Sequence, residues 1–126
     1  MVSAYDELPR TPANFVALSP LRYLERAAYI YPHQDAIVHG ARHISWRETY
    51  TRCRQFAHQL RNLGIQKNDT VSVLLPNIPA MVEAHFAVPM AGAVLNTLNT
   101  RLDAKTIAFM LEHAETKVLL VDPEFA

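Results

Sequence analysis

Apolar positions in this chain recur first at helical spacing and later in strand-length blocks separated by helices. Leu21, Leu24, Ala28 and Tyr31 share one face of a short helix that Ser19 and Pro20 open and Pro32 ends. Residues 35–39 and 42–45 read as two short strands around Gly40 and Ala41, a two-residue turn with glycine first. Ser45 and Glu48 have capping-box spacing, and the helix they start carries Tyr50, Cys53, Phe56, Ala57, Leu60 and Leu63 on one stripe as far as Gly64. Arg47, Arg52, Arg54, Gln55, His58 and Arg61 fall on its outer face.

From Thr70 the pattern becomes strand-helix-strand-helix-strand. Residues 70–76 form the first block. A helix over roughly 79–91 follows, apolar on nearly every side and bent in its last turn by Pro89. Gly92 releases the chain into a strand over 93–97. Asp103 then caps a third helix with a stripe of Ile107, Met110, Leu111 and Ala114, and residues 117–121 supply the last strand. Short connections and right-handed crossovers make these three strands neighbours in a parallel sheet. The fold class is therefore α/β: an N-terminal arm over residues 1–18 lying across the body, a helix, a small β-hairpin, and a parallel βαβαβ unit.

Composition adds limits. Twelve Lys and Arg balance twelve Asp and Glu in 126 residues, and the basic residues are scattered, so no nucleic-acid footprint is present. Cys53 is the sole cysteine, which rules out an intramolecular disulfide. No signal-peptide pattern opens the sequence, and the apolar stretch 86–95 is too short to span a bilayer. A soluble protein of a reducing, cytoplasmic compartment is the expectation.

In a parallel sheet, ligands gather beyond the carboxyl ends of the strands, which selects Pro76 and Asn77, the segment Asn96–Arg101, and Asp122. Asn77, just ahead of a helix, is expected to cap it. Asn96, Thr97, Asn99 and Thr100 are ordinary turn formers. Arg101 can fork onto a carboxylate or phosphate, or can pair with nearby Asp103. His39 and His43 are separated by the hairpin turn, and His33, His58, His85 and His113 lie in separate elements, so no metal cluster is expected. Cys53 on an apolar stripe reads as a buried, inert thiol. With Gly40, Gly64 and Gly92 far apart, no glycine-rich phosphate loop exists. No residue is assigned a catalytic, cofactor-binding or metal role.

Ser19–Ala28, the hairpin leading to Ser45 and Trp46, Gly64–Val73, and above all Pro76–Leu102 resemble the N-terminal part of AMP-forming acyl-CoA synthetases, in the same order from about Leu18 to Asp122. The resemblance implies an adenylate-forming parent that joins a carboxylic acid to CoA at the expense of MgATP, through an acyl-adenylate and with loss of pyrophosphate. Aliphatic and aromatic acids both fit it, and a peroxisomal location fits it in a eukaryote. ATP, magnesium and CoA belong to the whole family member. The family's phosphate loop, adenylate motif and catalytic lysine have no matching positions here. Residues 1–126 are accordingly expected to be a partial AMP-binding domain, truncated before the phosphate loop and inactive alone. The alternative is a stand-alone α/β interaction module, or one half of a split enzyme.

Overall fold

A computed structural model describes residues 7 and 9–125. The rest of the expected N-terminal arm lies outside the described residues. Its described part does not lie across the body: residues 9–18 are exposed, and they turn where the Asn14 side chain accepts from the Thr11 amide at 2.8 Å and donates to the Pro9 carbonyl at 3.2 Å. Phe15, Val16 and Leu18 consequently stay in solvent.

Helix α1, Pro20–Ile30, begins at Ser19, whose hydroxyl accepts from the Leu21 amide, and buries Leu24 and Ala28. Strands β1, Asp35–His39, and β2, Arg42–Ser45, pair antiparallel around Gly40, whose φ of +59° suits the glycine-first turn. Helix α2, Trp46–Asn62, follows at once. Only the serine half of its capping box forms. Ser45 accepts from the Glu48 amide at 3.2 Å, while Ser45 itself is still held in the ladder opposite Asp35.

Strands β3, Thr70–Leu74, β4, Val94–Thr97, and β5, Thr116–Val121, form the parallel sheet in the order β4-β3-β5. Val71 stands opposite Leu95 on one side and Val118 on the other. β3 is central and almost wholly buried, as a strand covered on both faces should be. Val71 belongs to the core shared with Leu24, Cys53, Ala57 and Leu60 of the first two helices, while Val73 and Leu75 form a second cluster with Ala84 of the next helix. Helix α3, Pro79–Met90, packs between α2 and the sheet.

Helix α4, Ala104–His113, is capped by Asp103 and buries no residue fully. The crossovers β3-α3-β4 and β4-α4-β5 run in opposite directions across the sheet, so right-handed connections put α3 and α4 on opposite faces. On the α4 face Ser72 is fully buried. Its hydroxyl meets the Thr116 hydroxyl at 2.7 Å and accepts from the Asn96 amide at 2.9 Å. Among the described residues no helix is long and apolar enough to cross a membrane.

α3 departs most from its sequence pattern. Its residues are apolar on nearly every side, as expected, but the helix is not buried on every side. Ala84, Ala87 and Val88 are buried, but Val82, His85 and Pro89 face solvent, and the buried stripe includes a carboxylate, Glu83. Arg52 of α2, expected on the outer face, reaches back to it with Nε and a terminal nitrogen at 2.5 and 3.1 Å from its two oxygens. A bidentate, charge-assisted pair therefore joins the two helices.

Candidate functional site

Neighbouring parallel strands whose following helices cross to opposite faces leave a crevice between their carboxyl ends. In this chain those strands are β3 and β4, and a cavity of about 580 Å³ opens there. Pro76 and Asn77 line it from the end of β3, Met81 and His85 from α3, and Thr97–Arg101 from the loop after β4. Two segments selected from the sequence, 76–77 and 97–101, thus come together.

Two other selected positions do not join them. The Asn96 side chain is turned to Ser72 in the sheet. The Asp122 carboxylate accepts from the Glu124 amide at 3.0 Å and starts a short 3-10 turn, Pro123–Phe125. Both have structural work that a loop position alone does not reveal.

Asn77 corrects its expected role. The N-cap of α3 is Ile78, with no side-chain cap bond, and the helix opens on Pro79. Proline at the first turn has no N–H to satisfy, which lowers the need for a cap. Asn77 is exposed at the cavity mouth instead. His85, the one histidine of α3, donates from Nδ1 to the Met81 carbonyl at 2.8 Å. A carbonyl only accepts, so this bond assigns the proton to Nδ1 and leaves Nε2 free. The available signal was spacing, since Met81 and His85 are four residues apart on one face of α3.

Within the loop, Asn99 behaves as a turn former, its side-chain oxygen accepting from the Arg101 amide at 3.0 Å. Arg101 does not pair with Asp103. Both Asp103 oxygens are engaged by Thr106, one by its amide at 3.0 Å and one by its hydroxyl at 2.7 Å, and these bonds hold the carboxyl below its ordinary pKa range. Among the described residues Arg101 has no ion-pair partner, and no carboxylate lines the cavity. The site therefore has a net cationic, donor-rich rim.

Cys53 lies outside the cavity, fully buried, its thiol directed at the Glu83 carbonyl at 3.7 Å. Burial, and then the nearby Glu83 charge, push the thiol pKa up to about 12 from 9.0. The folded chain holds this proton where the unfolded chain gives it up, so the contribution to stability is complete below pH 9 and is lost as pH rises toward about 12. Alkylation of Cys53 at pH 8 should be slow in the native chain and fast in urea; equal rates would contradict a buried neutral thiol. Among the described residues no three His, Cys, Asp or Glu side chains gather in a way that could hold a metal ion. The magnesium implied by the family resemblance finds no donor set among them.

The sequence matches the AMP-binding enzyme family over residues 24–126. The chain belongs to that family. Over 120 residues it is 54% identical to an acetate–CoA ligase of Humulus lupulus and 53% identical to a peroxisomal trans-cinnamate:CoA ligase of Petunia hybrida, covering 95% of this chain and 21% of each relative. Among solved structures, unliganded O-succinylbenzoate coenzyme A synthetase of Bacillus subtilis superposes with a TM-score of 0.78 at 29% identity, over 82% of this chain and 23% of that one. A fatty acyl CoA synthetase of Mycobacterium tuberculosis gives 0.80 at 27%, over 84% and 22%. The fold is that of the N-terminal domain of adenylate-forming enzymes. The chain spans about a fifth of the length of the curated relatives it matches.

Proposed function

We propose that residues 1–126 are the opening part of the AMP-binding domain of an AMP-forming acid–CoA ligase. The parent reaction couples a carboxylic acid to ATP, giving an acyl-adenylate and pyrophosphate, and then passes the acyl group to the CoA thiol with release of AMP. The observation that carries this reading is the 54% identity to an acetate–CoA ligase across 120 residues, a span that includes both cavity-lining segments. The Bacillus neighbour has been solved with ATP and magnesium, which supports the same substrates here. The acid is a small carboxylic acid, in keeping with relatives named for acetate, butyrate, benzoate and cinnamate.

On this reading the chain builds scaffold and one wall of the ligand crevice, and it does not turn over alone. Adenylate formation depends on positioned donors and a metal at the phosphates. The described residues offer one cationic rim and no metal donor cluster. A cytoplasmic location completes the reading; the Petunia relative's name makes the peroxisome the competing compartment. Incubated with MgATP, CoA and a panel of carboxylic acids, the 126-residue chain should release no pyrophosphate above a buffer control. Acid-dependent release by the isolated chain would overturn the assignment of the missing chemistry to other segments.

A further inference from the structure

We propose that the outer face of α1, with the arm that leads into it, is a docking surface for a lipid bilayer carrying anionic headgroups. Among the described residues thirteen large apolar or aromatic side chains are exposed, and seven of them fall between residues 15 and 31. Single exposed apolar side chains are ordinary, but this concentration in one segment is not. The arm contributes Phe15, Val16 and Leu18, the last 83% exposed. Along α1, Tyr23, Arg26 and Ile30 follow one another at steps of three and four residues, as do Arg22, Arg26 and Tyr29. They share the side opposite Leu24 and Ala28, the two residues that α1 buries, and Tyr29 on it is 88% exposed. Core packing therefore accounts for the inner stripe of the helix and not for the outer one.

Charge decides the occupant. Between residues 9 and 31 these side chains are accompanied by Arg10, Arg22 and Arg26 against one carboxylate, Glu25. The Arg10 guanidinium sits over the Phe15 ring, 4.8 Å from its centre, so cation and apolar surface are neighbours in the arm as in the helix. Glu25 bonds Arg22 at 3.1 Å with both side chains more than half exposed, a pair too weak to withhold the arginine from a headgroup. Tyrosine favours the membrane–water interface, where its ring finds apolar surroundings and its hydroxyl finds water. Guanidiniums gain there from anionic headgroups while still hydrated. A protein that buried the same face dry would have to supply a partner for each arginine. A second copy meeting it by two-fold symmetry would set Arg22 and Arg26 against their own kind. An anionic bilayer meets both the apolar and the cationic requirement, and α1, with 11 residues, would lie along its surface instead of crossing it.

Co-sedimentation of the 126-residue chain with vesicles, either of phosphatidylcholine alone or of phosphatidylcholine mixed with phosphatidylserine, tests this. The mixed vesicles should bind the chain saturably at low salt and release it as salt rises, while the neutral vesicles should bind it roughly 10-fold more weakly. Arg22→Gln with Arg26→Gln should weaken binding about 10- to 30-fold, each arginine near an anionic surface being worth about five-fold. Tyr29→Ser with Ile30→Ser should weaken it about 10-fold with the charge unchanged. Lys105→Gln with Lys117→Gln removes the same charge from α4 and β5 and should bind like the wild type. All six side chains are exposed, so the variants keep the fold. No binding to mixed vesicles, equal binding to neutral ones, or as large a loss in the lysine variant as in the arginine one would overturn the proposal. Polyglutamate should bind more weakly than the mixed vesicles; tighter binding would make the partner an acidic polypeptide and sink the bilayer. The ligase chimera described below should bind mixed vesicles as this chain does. An active chimera that leaves them unbound would show the face covered by the rest of the enzyme, ending this proposal and leaving the functional reading in place.

Discussion

Replacing Arg52 by alanine is expected to lower the unfolding free energy by about 2–3 kcal/mol, the largest electrostatic effect expected among the described residues. The reason is an asymmetry. The Glu83 side chain is only 7% exposed, and Arg52 supplies both of its hydrogen bonds, so truncating the arginine leaves a buried carboxylate with no partner. The Arg52 side chain is 39% exposed, which brings water close to the pair and keeps the cost below the 3–5 kcal/mol typical of fully buried pairs. The hydrogen bond to Glu83 is also what raises the Arg52 pKa above its ordinary value.

The reciprocal change should cost less, because an arginine freed from Glu83 can turn to solvent. Converting both residues together to apolar side chains, Arg52→Met with Glu83→Leu, should recover most of the loss, since no buried charge is then left unpaired. Urea denaturation of the three variants measures this directly. An Arg52→Ala chain within about 0.5 kcal/mol of wild type would mean that the pair is a surface ornament.

Leu60→Ala should cost about 3 kcal/mol through lost burial and the cavity left in the main cluster. Leu60 is 1% exposed and lies among Leu24, Cys53, Ala57, Val71 and Val88, so α1, α2, β3 and α3 all border the hole. Leu63→Ala is the internal control. The apolar spacing of α2 puts Leu63 on the same stripe, yet the helix ends at Asn62 and Leu63 is 67% exposed, so its truncation should move stability by less than about 0.5 kcal/mol. Equal losses at the two leucines would show that the stripe, and not the observed packing, governs the core.

Elements were legible where one local interaction decides them. Ser19, Ser45 and Asp103 each cap the helix their spacing announces, and the alternation of strand blocks with helices leads to the parallel order β4-β3-β5. What was not legible depends on distant partners. Nothing near Glu83 in sequence says that an arginine 31 positions earlier will reach it, although a lone carboxylate in an apolar helix is a signal that a partner is needed. Asn77 looked like a cap because asparagine before a helix usually is one; Pro79 removed the demand. Asn96 and Asp122 sat at the right ends of the right strands, but a hydroxyl across the sheet and an amide two residues on engaged them first. The cavity follows from topology, and His85 enters it because it lies one turn after Met81 on the same face of α3.

The central claim is that these residues are an interchangeable opening part of an acid–CoA ligase. Joining this chain to the four-fifths of the hop acetate–CoA ligase that it does not match, and measuring acetate-dependent pyrophosphate release and acetyl-CoA formation with MgATP and CoA, tests that claim directly. The chimera should produce both, while the hop segment lacking this part should produce neither. A chimera that unfolds cooperatively, and so is folded, but forms no acetyl-CoA and releases no pyrophosphate would contradict it.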